Sequence, residues 1–424
     1  MHLLLAALIG LPAGVRPAID ATVARVMQEE HVPGLSLGIA RAGTELYVRG
    51  YGLRDLGDRL PARGDTPYPV GSIAKQFAAA LVLQDAAAGT IALDAPLNRY
   101  LPAAADAGDA SVAQVLGQTG GIAASAGDFR APDQTLVEAI AGAAPAAAPG
   151  TAWIYSNANY VLLEAALERV DRASFRDLLR GRIVEPLGLR STGYGAPPAG
   201  VAARGYEWRG GWSAAAPAGA ANDRTQLAGG MYSTAPDLLR WLDALRSGRV
   251  VSPDRFAAMT SSGKLSDGVP TNYGFGFFIG NWFGYRVAEH PGYVDGFSVQ
   301  DALVLDDGLE IAVLANCGPV DLTPLTMSLV AAIDRPRDAN LAARPSQPPQ
   351  NENLAVTADV KAILETPGFA PLGALHSIEF VERSLADGTT YDKYRATFST
   401  GQWWVTVGYR ENGPIEALTL SPVQ

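Results

Sequence analysis

A chain of 424 residues is long enough for about two or three domains of ordinary size. Its 48% apolar and 18% charged residues support a sizeable core and exclude a disordered chain. The net charge of −10 and the lack of a basic patch argue against a nucleic-acid partner, and a single cysteine, Cys317, excludes an intrachain disulfide.

The first 17 residues differ from the rest of the chain. The apolar stretch Leu3–Ile9 is about as long as the core of an export signal and too short to span a bilayer. It lacks the usual basic start, so the remnant of a first helix stays open as the alternative. We expect residues 1–17 to be a signal or leader segment and the protein to be periplasmic or secreted, with a cytoplasmic protein as the alternative. No other stretch has the pattern of a transmembrane segment.

Helices and strands follow in an order that predicts one sheet with a helical insertion. Helical periodicity covers Asp20–His31, and two alternating runs around Ala42–Gly43 predict a β-hairpin. An apolar helix begins at Ser72 and ends at Gly89, and residues 90–250 are mostly helical. Strand patterns then return in "YGFGFFIG", "FGYRVAEH", "FSVQDALVL" and "EIAVLAN". This order predicts an α/β (α+β) fold whose sheet is assembled from the two ends of a domain over residues 18–333.

The end of the chain predicts a separate small domain. Residues 334–353 contain four prolines and few large apolar residues, which is typical of a linker. Beyond it, residues 354–424 predict an α+β accessory domain, in which a helix over Val356–Leu364 packs on a four-stranded antiparallel sheet. The predicted turns of this sheet are Asp387–Gly388, Thr400–Gly401 and Asn412–Gly413.

A serine and a lysine one helical turn apart form the first chemical motif. In "GSIAKQF", Ser72 begins the apolar helix and Lys75 lies beside it, where an amine can accept a hydroxyl proton. The N-terminus of a helix also offers free N–H groups for an oxyanion. The same spacing occurs at Ser261 and Lys264 among small polar residues, where a loop is expected. The alternative for Ser72 is an ordinary helix N-cap.

Two further motifs are weak when each is taken alone. In Tyr155-Ser156-Asn157 a tyrosine can carry a proton and an asparagine amide can hold a substrate carbonyl. In His290-Pro291-Gly292 a glycine next to a strand allows a substrate backbone to approach closely. A turn and a loop are the respective alternatives.

In this order and at these spacings, the three motifs resemble those of the serine β-lactamase and penicillin-binding-protein superfamily. The likeness is to its class C-like branch, which includes D,D-peptidases, D-aminopeptidases and family VIII carboxylesterases and carries S-x-x-K, Y-x-N and K/H/W-x-G. It covers roughly residues 18–330 and extends to stretches such as "GTIALDAPLNRYLP" and "IVEPLGLRSTGY". The resemblance implies the β-lactamase/transpeptidase-like fold, with an antiparallel sheet flanked by helices and a helical region.

The resemblance also implies roles for the residues of the first two motifs. Ser72 corresponds to the nucleophile and Lys75 to the base that takes its proton. Tyr155 corresponds to the second proton carrier, and Asn157 to a contact of the substrate amide. No cofactor is implied, and the sequence shows no metal-ligand spacing.

The third motif is the one that departs from classical β-lactamases. The resemblance implies that the oxyanion hole consists of the N–H groups of Ser72 and of Tyr293, which follows Gly292. His290 and Pro291, however, stand where many relatives have Lys and Thr. A histidine is at most partly charged near neutrality and a proline has no hydroxyl, so both changes weaken capture of a substrate carboxylate.

These observations predict a serine hydrolase that acts through an acyl-enzyme on an amide, peptide or ester, such as a D-amino-acid peptidase, amidase or esterase. A true class C-like β-lactamase is the first alternative, and a catalytically idle penicillin-binding or sensor protein is the second. We expect a small molecule or short peptide as substrate. The sequence leaves the natural substrate and the oligomeric state open.

Overall fold

The structure is a computed structural model. It describes residues 11, 14–107, 109–122, 137, 140, 145–215, 230–334, 360–365, 369, 372, 374–386, 389–409 and 415–422. The chain divides into two compact units, Met1–Arg337 and Asp338–Gln424.

The main sheet of the first unit is antiparallel and draws its strands from both ends of that unit. It has seven strands in the order β3-β2-β1-β12-β11-β10-β9. These strands are β1 (Gly34–Arg41), β2 (Thr44–Asp55), β3 (Leu60–Pro61), β9 (Phe278–Trp282), β10 (Tyr285–Val294), β11 (Phe297–Val304) and β12 (Leu309–Ala315). Because β1 pairs with both β2 and β12, the predicted sheet of N- and C-terminal strands is confirmed, as is the hairpin around Ala42–Gly43.

Short strands and helices fill the chain between these two groups. The short strands are β4 (Tyr68–Pro69), β5 (Gly193–Tyr194) and β8 (Met231–Ser233) in one small sheet, and β6 (Tyr206–Trp208) and β7 (Trp212–Ala214) in a hairpin. Among the residues that the structure describes, the unit contains the α-helices α1 (Val15–Glu29), α2 (Ala74–Ala88), α3 (Val112–Leu116), α4 (Asn157–Asp171), α5 (Phe175–Leu179), α6 (Glu185–Leu187), α7 (Ala235–Arg246), α8 (Pro253–Met259) and α9 (Thr323–Ile333). The 3₁₀ turns are Gly71–Ile73, Leu97–Arg99 and Pro102–Ala107, and a π-helical turn covers Arg180–Val184.

Helices cover both faces of the sheet, and the alternation along β1 shows why. Leu35, Leu37 and Ile39 point to the face on which α1 and α9 pack, and form one core with them. On the other face Gly38 leaves room for α7, since a Cβ there would lie 2.9 Å from a methyl carbon of Leu239. The helix α2 is buried nearly all round and lies at the centre of the second core.

Three boundaries differ from the sequence-based expectations. The first helix begins at Val15, so it includes the last residues of the predicted leader 1–17, whereas Leu3–Ile9 lies outside the described residues. Ser72 lies in the 3₁₀ turn that precedes α2 rather than in the α-helix itself. The strand β9 begins only at Phe278, because Gly276 adopts a φ of +82° and packs against the first turn of α2.

The second unit has its own small core. The strands β13 (Leu375–Ala386), β14 (Thr389–Phe398), β15 (Gly401–Tyr409) and β16 (Ile415–Pro422) form an antiparallel meander, and residues 360–364 are helical. Val360 and Leu364 pack against Tyr394 and Val405, which confirms the predicted helix on a four-stranded sheet. The predicted turns Asp387–Gly388 and Asn412–Gly413 and, except for Asp334, the predicted linker 334–353 lie outside the described residues.

Within the described parts of the chain, no helix combines the length and the apolar character that a bilayer crossing requires.

A protein that ends at Arg337 should fold without the second unit, because the cores of the two units share no residue among those described. Cooperative thermal unfolding, followed by circular dichroism, and stoichiometric labelling of Ser72 by a fluorophosphonate would check this. A shortened protein that shows no cooperative transition would place residues beyond 337 in the core of the first unit. A folded protein that no longer labels would instead indicate that the second unit shapes the cleft.

Candidate active site

The hydroxyl of Ser72 is directed at an amine and does not cap a helix. The N-cap position of α2 is Ile73, and neither that helix nor the preceding 3₁₀ turn has a side-chain cap. Ser72 Oγ instead accepts a hydrogen bond from Lys75 Nζ at 2.9 Å. The alternative interpretation of Ser72 as an N-cap is therefore wrong.

The amine of Lys75 is buried and in contact with the second motif. The residue is 1% exposed, and Nζ donates a second hydrogen bond to Asn157 Oδ1 at 2.7 Å. The same nitrogen lies 5.0 Å from the centre of the Tyr155 ring and 5.7 Å from that of Tyr160. Burial lowers the pKa of Lys75 to about 7, and the carboxyl of Glu164 opposes this shift. A substantial fraction of the amine is then neutral near pH 7 and can accept the proton of Ser72.

The hydroxyl of Tyr155 interacts with the side chain of Ser72. Burial raises the pKa of this phenol above its ordinary value of 10, whereas the interaction with Ser72 favours the ionised phenol and lowers the pKa by less. As a result, the hydroxyl keeps its proton in the resting site. Tyr155 is therefore suited to pass a proton on and not to begin the reaction as a phenolate base.

Gln118, which belongs to none of the three motifs, holds the second motif in place. Gln118 adopts a φ of +63°, and its Oε1 accepts hydrogen bonds from Ser156 N at 3.0 Å and from Asn159 Nδ2 at 2.6 Å. Ser156 in turn caps α4 through Ala158 N, which sets Asn157 as the first residue of that helix. The signal in the sequence was a long polar residue between the glycines of "LGQTGG".

Two glycines allow the third motif to lie against the Ser72 turn. A Cβ on Gly292 would lie 2.1 Å from the carbonyl oxygen of Val70, and a Cβ on Gly71 would lie 2.7 Å from the backbone nitrogen of Tyr293. Either side chain would force the two segments apart. The backbone of Tyr293 thus lies beside the turn that carries Ser72, which is the arrangement that the predicted oxyanion hole requires.

In the described part of the chain, the strand that carries this motif lacks a neighbouring strand along one side of its second half. Its partner β9 pairs with it only over Tyr285–Glu289, so among the described residues no strand follows the stretch from His290 to Val294 on that side. A substrate backbone can add itself to such an edge. The substrate contacts assigned to Asn157, His290, Gly292 and Tyr293 stay predictions.

The ring of His290 is buried and neutral. It is 1% exposed and lies among aromatic side chains, with its centre 5.8 Å from that of Tyr155 and 5.1 Å from that of Phe278. The protonated Nδ1 donates to the Pro291 carbonyl at 2.6 Å, so Nε2 accepts from the Tyr273 hydroxyl at 3.3 Å. Burial and the positive charge of Lys75 lower the pKa of His290 to about 3. The site therefore has a neutral imidazole where many relatives have an ammonium group.

The second Ser–Lys pair differs from the first in every respect that matters for chemistry. Ser261 and Lys264 are exposed and lie outside any helix. The described residues also hold no group of three or more side chains with the character of metal ligands.

Comparison with known proteins assigns the chain to a family. Residues 19–354 match the family model described as Beta-lactamase, and the chain belongs to that family. The predicted resemblance is thereby confirmed, as is the predicted class, a β-lactamase-like serine hydrolase.

Relatives within the family have different activities. Esterase EstB of Burkholderia gladioli is 27% identical over 76% of this chain and 95% of its own length. A beta-lactamase of Escherichia coli (strain K12) is 25% identical over 55% of this chain and 62% of its own length. A D-aminopeptidase of Brucella canis is 26% identical over 71% of this chain and 59% of its own length. The chain thus spans less than two thirds of the last two relatives.

The fold is also that of a solved structure, an octameric penicillin-binding protein homologue from Pyrococcus abyssi. The two superpose with a TM-score of 0.66 over 96% of each chain at 21% identity. The predicted β-lactamase/transpeptidase-like fold is confirmed.

Replacement of Lys75 by arginine tests whether the amine is a base. Arginine keeps the positive charge but cannot release a proton. Loss of one member of a nucleophile–base unit costs on the order of 10³-fold or more in kcat. On p-nitrophenyl acetate, Lys75→Arg should therefore lower kcat nearly as much as Ser72→Ala does. The exposed Lys264→Arg is the matched control and should keep wild-type turnover. A folded Lys75→Arg protein with near-wild-type kcat would contradict the role of Lys75 as a base.

The pH dependence of kcat/KM provides a second test of the same amine. Lys75 must lose its proton before it can accept one, so kcat/KM should rise with pH and reach half of its plateau near pH 7. Tyr155→Phe should lower the plateau and leave the midpoint unchanged, because the Tyr155 hydroxyl keeps its proton over this range. Background hydrolysis is subtracted with Ser72→Ala. A midpoint close to the ordinary lysine pKa of 10.5 would show that burial does not control this amine.

Proposed function

We propose that the protein is a serine hydrolase that transfers the acyl group of small esters or D-amino-acid amides and peptides to Ser72 and then to water. The observation that supports this substrate class is the neutral third motif, in which a buried His290 and Pro291 replace a cation and a hydroxyl. Such a site favours acyl groups that carry no carboxylate beside the scissile bond.

Acylation follows from the contacts around Ser72. The neutral amine of Lys75 takes the hydroxyl proton while Ser72 Oγ attacks the carbonyl carbon. The oxyanion that forms lies at the N–H groups of Ser72 and Tyr293. The proton then passes from Lys75 through the Tyr155 hydroxyl to the leaving alcohol or amine, and the bond to the leaving group breaks.

Deacylation runs through the same groups in the opposite sense. A water molecule gives a proton to the neutral amine of Lys75, through the Tyr155 hydroxyl, which takes this proton and passes its own on, and attacks the carbonyl carbon of the ester on Ser72. The collapse of the second oxyanion releases the acid, and the proton returns to Ser72 Oγ. The free edge of β10 and the exposed amide of Asn157 are available to hold the substrate amide during both steps.

The main competitor is a true β-lactamase, which the similarity to the Escherichia coli beta-lactamase supports. A β-lactam carries a carboxylate next to the reactive ring, and enzymes with Lys-Thr-Gly offer it an ammonium group and a hydroxyl. This site offers neither at positions 290 and 291. The other competitor, an idle binding protein, is disfavoured because Lys75 donates hydrogen bonds to both Ser72 and Asn157.

A comparison of three substrates separates the two enzymatic alternatives. We expect kcat/KM on p-nitrophenyl acetate or on a D-alanyl p-nitroanilide to exceed that on nitrocefin, because only nitrocefin requires capture of a carboxylate. Ser72→Ala serves as the blank for each substrate. A kcat/KM on nitrocefin well above the values on the other two substrates would support a β-lactamase function. No turnover of any substrate, together with a stable penicillin adduct by intact mass, would instead indicate a binding protein.

A further inference from the structure

A buried carboxylate, that of Asp301, lies close to the site and takes no part in the acyl transfer to and from Ser72. Asp301 is 0% exposed and faces His290 in the register of β10 and β11. Both of its oxygens lie 2.9 Å from Gln76 Nε2, and Oδ1 also accepts from the backbone nitrogen of His290 at 3.2 Å. None of the ion pairs between described residues includes Asp301.

The glutamine that binds this carboxylate is the neighbour of Lys75 in the chain. Its Oε1 accepts a hydrogen bond from Trp241 Nε1 at 2.8 Å, and Trp241 stacks on Phe77 with ring centres 3.8 Å apart. The carboxylate needs the NH₂ end of the Gln76 amide and the indole N–H needs its oxygen end. The amide therefore has one satisfied orientation, which ties the first turn of α2 to both β11 and α7.

Burial of a carboxylate without a cation is costly, and it raises the pKa of Asp301 to about 7. An apolar residue at this position of β11 would avoid that cost. What Asp301 adds is a pair of bonds to two segments of the site, the turn that carries Lys75 and the strand that carries His290.

We propose that Asp301 is a positioning residue, which acts through the Gln76 amide and the His290 N–H to hold Lys75 and the third motif at the distance that acylation of Ser72 requires. The inference rests on the proposed function and names a residue that sets the geometry of the same site. In the part of the chain that the structure describes, no hydrogen bond joins Asp301 to Ser72 or to Lys75, so its effect on the reacting groups is indirect. A displacement of about 1 Å in such a site can cost on the order of 10²-fold in rate.

An exchange of the two side chains tests the proposal. Asp301→Asn leaves one acceptor for two donors, and Gln76→Glu sets two carboxylates against each other. In the double variant Gln76→Glu/Asp301→Asn, the amide at position 301 donates to the carboxylate at position 76. Trp241 Nε1 keeps an acceptor on that carboxylate, and the His290 N–H keeps the amide oxygen at position 301. The double variant therefore restores the bond between the two side chains with donor and acceptor reversed.

The readout is the second-order rate at which a fluorophosphonate labels Ser72 in the folded fraction, together with kcat and KM on p-nitrophenyl acetate. Each single variant should lower the labelling rate and kcat by about 10- to 100-fold with little change in KM. In the double variant, the labelling rate and kcat should return to within about fivefold of the wild-type values. The effects of the two substitutions are not additive, because the two residues are in contact. If Asp301→Asn does not fold, Gln76→Glu and the double variant still provide the comparison.

Glu310→Gln is the matched control for loss of a buried acid. Glu310 is also 0% exposed, with its pKa raised by burial to about 7, but it lies on β12 and binds the backbone of Gly43 in the β1–β2 turn. Its loss should lower the melting temperature and leave the labelling rate unchanged.

Wild-type labelling in either folded single variant, or a double variant no faster than the singles, would overturn the positioning role. A preference for nitrocefin would overturn the proposed substrate class alone, because the fluorophosphonate reports only on Ser72 and its base.

Discussion

The 2.9 Å contact between Ser72 Oγ and Lys75 Nζ is the interaction on which the rest of this site depends. It is useful only if the amine can lose its proton near neutrality. Burial supplies that condition, because a lysine that is 1% exposed has lost most of the water that would stabilise its charge. The buried helix α2 and the aromatic rings of Tyr155 and Tyr160 exclude solvent from the amine. The packing of the first unit therefore affects the reaction, because it keeps water away from the amine of Lys75.

A second constraint is steric and joins distant parts of the chain. Gly71 and Gly292 are required because the Ser72 turn and β10 approach more closely than any side chain permits. The sheet makes this approach possible, since it places late strands next to β1, whose hairpin leads through β3 toward the turn. The nucleophile and the backbone that stabilises its oxyanion thus come from distant parts of one unit and meet where Gly71 lies against Tyr293 and Gly292 lies against Val70.

The sequence predicted the local parts of this arrangement and missed those formed by distant contacts. One helical turn between Ser72 and Lys75 fixed their proximity, and alternating runs located β10 to β12. The bonds of Gln118 to Ser156 and of Gln76 to Asp301 leave no local pattern, because each joins segments that meet only after folding. The same holds for the buried ring of His290, whose orientation depends on Tyr273 and Pro291.

Two polar side chains that are in direct contact with the second motif or with Lys75 are amides, and electrostatics gives a reason. Gln118 and Asn157 each fix a neighbour through hydrogen bonds without adding a net charge. A charged group in their place would act on Lys75 through a poorly screened interior and shift its pKa away from neutrality. Glu164 is the acid that favours the charged form of Lys75. It is itself buried, and burial raises its pKa well above the ordinary value of 4.5. Burial lowers the pKa of Lys75 by more than Glu164 raises it, so the amine stays available as a base.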